Sequence, residues 1–435
     1  MSLSAAPIQS QEITCPPGVY ASAGSRYVLY AFVISLFIPI QLFLGDLKLT
    51  PYRFILIAAF APAAITFLMS PTLKIQLPDV LMGMFALVGG FSLMKTGSGI
   101  PTFGIFIVDS LGPYLLARTY IRNVETMIGV ARVLVFCIIA TIPFAFLEAV
   151  SSRPVILDAL SPIFNVLPNV PHEVRLGLDR AQVVFDHPIL YGVFCSLGFS
   201  FAILICGMGQ SLRWNWVKGG LVGFAAFLSL SSGAFLAVGL QVCLLGYDVV
   251  MRWLKSRWLV LLLSLSSLLV VLELLSNRSL AQISIGFLAL NPGTAWTRLA
   301  VNDAALDELS RNMWFGLGME PVWYPPPWIV TTSIDNFYIA VAFRHGIPTI
   351  ALLLLAIFVM VWSVIRVNLR DPRAARCRKA ILITLGAVMV AMVTVHLWNT
   401  TYVGFIFILG SIMWLIEEGR RDKQKPPCEP IEMKP

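Results

Sequence analysis

Charged residues are scarce in this sequence. Lys, Arg, Asp and Glu make up 12% of its 435 residues, whereas about 25% is usual in soluble globular proteins. Hydrophobic residues make up 58%, and the mean hydropathy is +0.82. So few charges cannot cover a folded surface that faces water, which excludes a sizeable soluble domain. The composition indicates that the lipid bilayer is the solvent of most of the chain.

Cysteine pairs are also lacking. None of the seven cysteines belongs to a C-x-x-C motif. Most lie in apolar runs or in segments that we assign below to the cytoplasm, where thiols stay reduced. This distribution argues against disulfides and against a metal site. The seven are Cys15, Cys137, Cys195, Cys206, Cys243, Cys377 and Cys428.

Signals of nucleotide-binding or secreted proteins are missing as well. The chain has no Gly-rich phosphate loop and no internal repeat of fixed period. Its first 26 residues are polar and lack the charged and then apolar pattern of a cleaved signal peptide. We therefore expect the first helix to be an uncleaved membrane anchor.

Long apolar runs are what the sequence has instead. Runs near or above about 18 residues, the length that spans a bilayer, recur from Tyr27 to Leu415. They predict an all-α, polytopic membrane protein of about twelve transmembrane helices with two larger periplasmic loops. The predicted spans are 27–44, 53–70, 78–94, 103–117, 126–150, 188–208, 216–230, 232–251, 258–275, 346–365, 379–397 and 401–416.

The distribution of Lys and Arg predicts the orientation of these helices. Short loops on one side of the predicted bundle are rich in both residues, and cytoplasmic loops retain positive charge. The same parity makes the segment 1–26 and the tail 418–435 cytoplasmic, with the transmembrane domain at 27–417 between them. The basic loops lie at 118–122, 213–218, 252–257 and 366–379.

Two long polar stretches, 151–187 and 276–345, fall on the opposite, outer side. We expect the function of the protein in these loops. The net charge of +8 is explained by the cytoplasmic loops and their contact with anionic headgroups. Nucleic acid is therefore not expected as a partner.

The first outer loop ends in residues that suit a phosphate. Arg180, Gln182 and His187 lie just before the apolar run that begins at Pro188. A guanidinium offers five donors in a rigid fork, so an arginine at the mouth of a membrane helix suits a lipid-linked phosphate or diphosphate. The alternatives are an arginine that anchors to lipid headgroups and a simple pair between Asp186 and His187.

In the second outer loop, Arg298 precedes a helical stretch, and Gly316 and Gly318 follow that stretch. The glycines allow close backbone approach. Three acidic residues of the stretch fall on one helical face, which is typical of a solvated surface. They are Asp303, Asp307 and Glu308.

A short amphipathic helix is predicted near the end of the same loop. Asp335 and Asn336 would lie at its start, and Arg344 and His345 at its end. That is where a loop can meet a membrane cavity. The alternative for Asp335 is a helix cap.

Three acidic residues lie within predicted spans. Asp109 is followed by Gly112 and Pro113, so it could line a broken helix that faces a cavity, and an ionisable group there is a functional candidate. Glu148 and Glu273 lie near predicted outer ends, where an ordinary helix cap is the alternative.

The most specific pattern consists of Asn336, the nine-residue spacer 337–345, Gly346 and Thr349. It resembles the His-(Asn/Ser/Gln), nine-residue spacer, Gly, two residues, (Gly/Thr/Tyr) pattern of the O-antigen ligase and O-antigen or exopolysaccharide polymerase (Wzy-like) superfamily. Asp335 stands where the ligases place their histidine. This departure favours a polymerase, because a carboxylate can accept the proton of a sugar hydroxyl.

Three further stretches, within about residues 180–350, are similar to this superfamily. The stretch from Arg180 to Gly192 resembles its arginine-bearing helix start after the first outer loop. Residues 229–234 are similar to its Ser-Arg-Gly joint, with Ser232 where an arginine is common. Arg298 followed by 314–318 looks like the arginine that precedes its Gly-x-Gly turn.

The resemblance implies a multi-pass glycosyltransferase with a GT-C-like arrangement in the bacterial inner membrane. Its donor would be an undecaprenyl-diphosphate-linked oligosaccharide, and its product an exopolysaccharide or O-antigen on the periplasmic face. No cofactor or metal is implied. Membrane lipids are implied partners, and flippase and chain-length regulator proteins are further candidates.

Without a metal, arginines would have to stabilise the departing diphosphate. The candidates for this role are Arg180 and Arg298, and Asp335 is the candidate general base. The candidate substrate-binding residues are Asn336, His187, Arg344, Gln182, Tyr338 and His345.

Two alternative functions follow from the same features. A ligase would transfer the lipid-linked glycan to another acceptor. A polysaccharide transporter or flippase would also have many apolar helices, but transporters usually show paired halves and midplane charges. Here the polar residues collect in two outer loops.

The topology gives a first testable prediction. In a background without reactive native cysteines, Gly177→Cys and Pro327→Cys should react with a membrane-impermeant thiol reagent from the outside, and reporters at both termini should be cytoplasmic. Labelling of position 327 only from the cytoplasmic side would refute the topology and the proposed location of the function together.

Overall fold

The computed structural model of the protein describes residues 23–45, 47–169, 173–275, 292–319, 323, 327–328 and 331–424. The predictions for Cys15, Cys428 and most of the segment 1–26 concern residues outside these ranges. The same holds for much of the second predicted loop, including 276–291.

Helices and one short β-hairpin make up the described chain. In the first part they are α1 Ala23–Ser35, α2 Pro51–Met69, α3 Leu77–Lys95, α4 Gly99–Tyr120, α5 Val124–Ser151, α6 Val155–Leu160 and α7 Pro188–Leu197, which a π-helical turn at Phe201–Ile205 follows. The others are α8 Leu212–Leu228, α9 Ser232–Val250, α10 Arg257–Leu275, α11 Pro292–Arg311, α12 Phe337–His345, α13 Ile347–Ile365, α14 Pro372–Ala391, α15 Asn399–Gly410 and α16 Met413–Gln424. Strand β1 Leu42–Leu44 pairs antiparallel with β2 Leu47–Leu49.

The chain is a multi-pass membrane protein, because nine helical segments within the described residues are long and apolar enough to cross a membrane. They correspond to nine of the predicted spans, including the short one predicted at 103–117, which lies in α4. The three other predicted spans are helical but shorter or more charged: α1 has 13 residues, α8 has 17, and α14 begins with a basic stretch. The total of about twelve spans stays a prediction.

Two predicted spans run too far along the chain. The span predicted at 27–44 is helical only to Ser35, and its last residues form β1, beyond Pro39. Pro has no N–H with which to continue a helix. The span predicted at 379–397 is helical only to Ala391, and the mostly buried segment 392–398 that follows is irregular. Hydropathy missed both ends because it reports how apolar a segment is, and not its backbone conformation.

Ion pairs connect the helices at the basic end of the bundle. Arg118 at the end of α4 pairs with Asp79 of α3 at 2.9 Å and with Glu417 of α16 at 2.6 Å. Asp248 near the end of α9 pairs with Lys379 of α14 at 2.5 Å. These contacts bring the basic loops of the sequence to one end.

The described parts of the two polar loops lie together at the other end. In the first loop, Ala181 N–H donates to the carbonyl oxygen of Leu228, at the end of α8. In the second, Phe337 N–H donates to the carbonyl oxygen of Met392, just after α14. The start of α9 joins these two places, since Gly233 packs against the segment 392–398.

Candidate active site

An ion pair joins two parts of the second loop. Arg298 lies on α11 and Asp335 just before α12, and Nε of Arg298 donates to Oδ2 of Asp335 at 2.8 Å. Oγ of Ser333 donates to the other carboxylate oxygen at 3.2 Å. The side chains of Arg298 and Asp335 are 16% and 30% exposed, so a ligand can reach the pair.

Asn336, and not Asp335, caps α12. Its Oδ1 accepts hydrogen bonds from the backbone N–H groups of Tyr338 and Ile339 at 3.0 and 3.2 Å. This is the usual pattern of a helix N-cap. The alternative of Asp335 as the cap is therefore wrong, and Asn336, predicted to bind substrate, has a structural role in this geometry.

The Gly-x-Gly turn holds the end of α12 in place. Leu317 N–H donates to the carbonyl oxygen of Phe343 at 2.7 Å, and Gly318 N–H donates to that of Arg344 at 3.1 Å. These bonds satisfy carbonyl groups of the last helical turn. Gly316 has φ +66, and a Cβ there would lie 2.6 Å from the Phe343 oxygen. The predicted close backbone approach is confirmed, and it fixes α12 relative to the turn after α11.

Arg180 is buried beside other arginines. Its Nε donates to the carbonyl oxygen of Ser229 at 3.3 Å, while its Nη2 has no hydrogen-bond partner among the described residues. Burial, and then the charges of Arg175 and Arg298, lower the pKa of Arg180 to about 10, whereas Glu173 and then Asp335 act in the opposite direction. The guanidinium is still charged at neutral pH. The cluster therefore has an excess of positive charge that an anion would offset.

The joint between α8 and α9 supplies the partners of two of these arginines. Ser229 accepts from Arg180, and the carbonyl oxygen of Leu230 accepts from Nη1 of Arg175 at 3.0 Å. Leu230 has φ +44, a left-handed conformation that is strained for this residue type. The small-residue joint of the sequence thus orients the arginine cluster.

The carboxylate of Glu148 anchors the loop that carries Arg180. Its two oxygens accept from the backbone N–H groups of Gln182 and Val183, both at 3.0 Å. Val183 has φ +55, which is costly for a β-branched residue, and the carboxylate helps to hold it. No sequence pattern connected Glu148 with this loop, because Glu148 and Gln182 are 34 positions apart along the chain.

The other first-loop candidates have identified contacts. Nε2 of Gln182 donates to the carbonyl oxygen of Pro168 at 3.2 Å, and its Oε1 is buried without a partner among the described residues. Nδ1 of His187 accepts from Ile189 N–H at 3.1 Å and caps α7. Both residues therefore shape the loop.

The α12 candidates differ in their surroundings. Nη1 of Arg344 lies 3.0 Å from Nε2 of His396, which must be the acceptor because arginine only donates. His345 contacts the carbonyl oxygen of Gly89 at 3.2 Å, and burial lowers its pKa to about 4, as expected of a core histidine. The Tyr338 hydroxyl donates to a backbone carbonyl of α14 at 2.7 Å. His396 was not anticipated, because it lies inside the span predicted at 379–397.

A second polar network lies at the same end. Nη2 of Arg53 pairs with Asp109 at 2.6 Å and also contacts Oδ1 of Asn399 at 3.3 Å. Nδ2 of Asn399 donates to Asp186 at 2.9 Å, and Nζ of Lys48 lies 4.0 Å from Asp186. Asp109, a functional candidate in the sequence, is thus an ion-pair partner. Arg53, Asn399 and Lys48 were not anticipated.

Residues 219–354 match the family described as O-antigen ligase (Wzy_C). The match includes the joint after α8, Arg298, the Gly-x-Gly turn and Asp335, and it excludes Arg180 and the first outer loop. It covers about a third of the chain and confirms the predicted relationship to the O-antigen ligase and Wzy-like superfamily. No curated protein matches the sequence.

The anchoring role of Glu148 can be tested by hydrogen exchange. Glu148→Ala removes both acceptors, so the amides of Gln182 and Val183 should exchange about 10- to 100-fold faster, as expected for lost hydrogen bonds to a charged group. Glu148→Gln keeps one acceptor oxygen and should have a smaller effect. Mass spectrometry of peptides that cover 178–187 would measure this.

The matched control is Glu173→Ala, which removes an exposed carboxylate from the same loop. It should leave exchange at the two amides unchanged. Wild-type exchange in Glu148→Ala would show that the carboxylate does not hold the loop.

Proposed function

We propose that the protein polymerises oligosaccharide repeat units linked to a lipid diphosphate, of the undecaprenyl type, into an exopolysaccharide or O-antigen on the periplasmic face of the inner membrane. The arginine cluster carries the proposal. Arg180 is buried, its Nη2 has no hydrogen-bond partner among the described residues, and the charges of Arg175 and Arg298 act on it. A diphosphate supplies the negative charge and the acceptor oxygens that the cluster lacks.

The reaction joins an acceptor hydroxyl to the donor sugar. The hydroxyl oxygen attacks the anomeric carbon, and the bond from that carbon to the diphosphate oxygen breaks. The hydroxyl proton passes to Asp335, and the lipid diphosphate leaves with the bonding electron pair. Arg180 and Arg298 stabilise its developing charge, and one preorganised donor of this kind contributes about 2.7–4 kcal/mol.

The ion pair between Arg298 and Asp335 suits this sequence of events. Arg298 holds the carboxylate through Nε, and its two Nη groups make no hydrogen bond with the described residues. A bound diphosphate would draw the guanidinium toward itself and weaken the pair. The carboxylate could then accept the proton as the leaving group departs.

Two observations rank the alternatives. The family description favours ligase-type transfer to another acceptor, but Asp335 stands where the ligases have histidine, which favours polymerisation. A transporter or flippase is the weaker alternative, because most of the charged groups described above lie in the polar loops or near helix ends. Asp109 lies in the middle of α4, but Arg53 at the start of α2 pairs with it at 2.6 Å.

The first test concerns Arg298. Arg298→Lys should lose nearly as much polymer-forming activity as Arg298→Ala, on the order of 10²–10³-fold, because lysine keeps the charge without the planar fork. Transfer by purified protein, at equal amounts of folded protein, would measure the loss. Arg311→Lys is the matched control, since Arg311 lies on the same helix with a 75% exposed side chain. Near-normal yield from Arg298→Lys would make Arg298 an anchor and not a donor-binding residue.

The second test separates two roles of Asp335. As a general base, it should lose about 10²–10⁴-fold in rate on Asp335→Asn, because the amide cannot accept the proton. If it only positions Arg298, the asparagine oxygen can still accept from Nε, and the rate should stay close to normal. Since Asn336 caps α12, loss of the helix cap cannot explain the effect. Long polymer made at the wild-type rate would remove the base from the mechanism.

A further inference from the structure

Three buried polar atoms that have no hydrogen-bond partner among the described residues belong to residues that line one cleft. They are Nε2 of Gln41, Oγ1 of Thr50 and Oη of Tyr52. The three residues are 5%, 8% and 1% exposed. Buried polar groups are nearly always paired, because one left unpaired costs about 1–3 kcal/mol. Three in one cleft indicate that a polar ligand completes the site.

Several separate parts of the chain form this cleft. Gln41 follows α1, Thr50 and Tyr52 lie at the start of α2, and Asp186 and Asn399 come from the first loop and the start of α15. Thr50 is at the N-cap position of α2 but makes no capping hydrogen bond with its side chain, although threonine commonly does so. The hydroxyls of Thr50 and Tyr52 are neighbours, yet their geometry satisfies neither.

The charges of the described residues around the cleft balance. Nζ of Lys48 lies 4.0 Å from Asp186, too far for a direct hydrogen bond but close enough to offset its charge. Arg53, just behind, is paired with Asp109 at 2.6 Å. A cleft with this balance does not select a phosphate. It favours a neutral ligand whose groups both donate and accept hydrogen bonds, as sugar hydroxyls do.

We propose that this cleft binds a hydroxyl-bearing edge of the acceptor glycan, through Gln41, Tyr52 and the gap between Lys48 and Asp186. The enclosed part of the cleft has room for about one water-sized group, so it takes a single hydroxyl at the edge of a neutral sugar and not a whole ring. Asp186 follows Arg180 on the same loop, which would bring the acceptor beside the donor. The identification of the ligand as an acceptor rests on the proposed function.

Two conservative variants test the cleft. Gln41→Leu removes the carboxamide that carries Nε2, and Tyr52→Phe removes the hydroxyl. Neither adds bulk, and neither Nε2 nor the hydroxyl has a partner among the described residues, so both variants should be at least as thermally stable as the wild type. The probe is the water-soluble oligosaccharide that mild acid releases from the host's lipid-linked repeat unit. Saturation-transfer NMR with the purified full-length protein should show about fivefold weaker binding by each variant, the loss of one neutral hydrogen bond.

The matched control is Gln210→Leu, an exposed glutamine near the basic end, which should bind the oligosaccharide as the wild type does. Equal binding by the wild type and both cleft variants, as expected if an ordered water fills the cleft, would overturn the proposal. So would the absence of binding to the wild type at millimolar concentration.

A transfer assay separates this proposal from the proposed function. Normal wild-type polymerisation with an unchanged KM for the acceptor in Gln41→Leu would refute the cleft alone. Binding that depends on Gln41 and Tyr52, in a wild-type protein that extends no lipid-linked glycan, would support the cleft and refute the polymerase.

Discussion

A charge buried in a medium of low dielectric needs a partner, and this constraint organises the bundle. Breaking a buried ion pair costs about 3–5 kcal/mol. Arg118 lies between Asp79 and Glu417 at the basic end, and Arg53 pairs with Asp109 at the other. Because lipid removes the hydrophobic drive for helices to associate, such polar contacts fix which helices are neighbours and in what register.

Near the two polar loops, some buried polar groups have no partner among the described residues, and these groups are candidates for ligand binding. The arginine cluster around Arg180 has more positive charge than its neighbours offset, which suits a diphosphate. In the described part of the chain, the cleft at Gln41 and Tyr52 has donors without partners, and the charges around it balance. This combination suits sugar hydroxyls. A glycosyltransferase needs both kinds of site, one for the leaving group and one for the nucleophile.

The apolar runs predicted most of the helices. The family resemblance of the second loop predicted Arg298, the glycine turn and Asp335 as parts of one candidate site. These residues lie close together because α12 is short and the turn at Gly316 packs on its end. The contact of His396 with Arg344 could not be predicted, since hydropathy treats the irregular segment 392–398 as part of a span. The contact between Arg53 and Asn399 could not be predicted either, because they are 346 positions apart and a single sequence carries no sign of such a contact.

Polymerase activity is tested most directly by chain extension with the purified protein in liposomes that contain the lipid-diphosphate-linked repeat unit. We expect longer lipid-linked glycans and one released lipid diphosphate for each repeat unit added, formed without ATP and lost in Arg298→Lys. Movement of the repeat unit across the bilayer with no change in its length would refute the polymerase and identify a transporter.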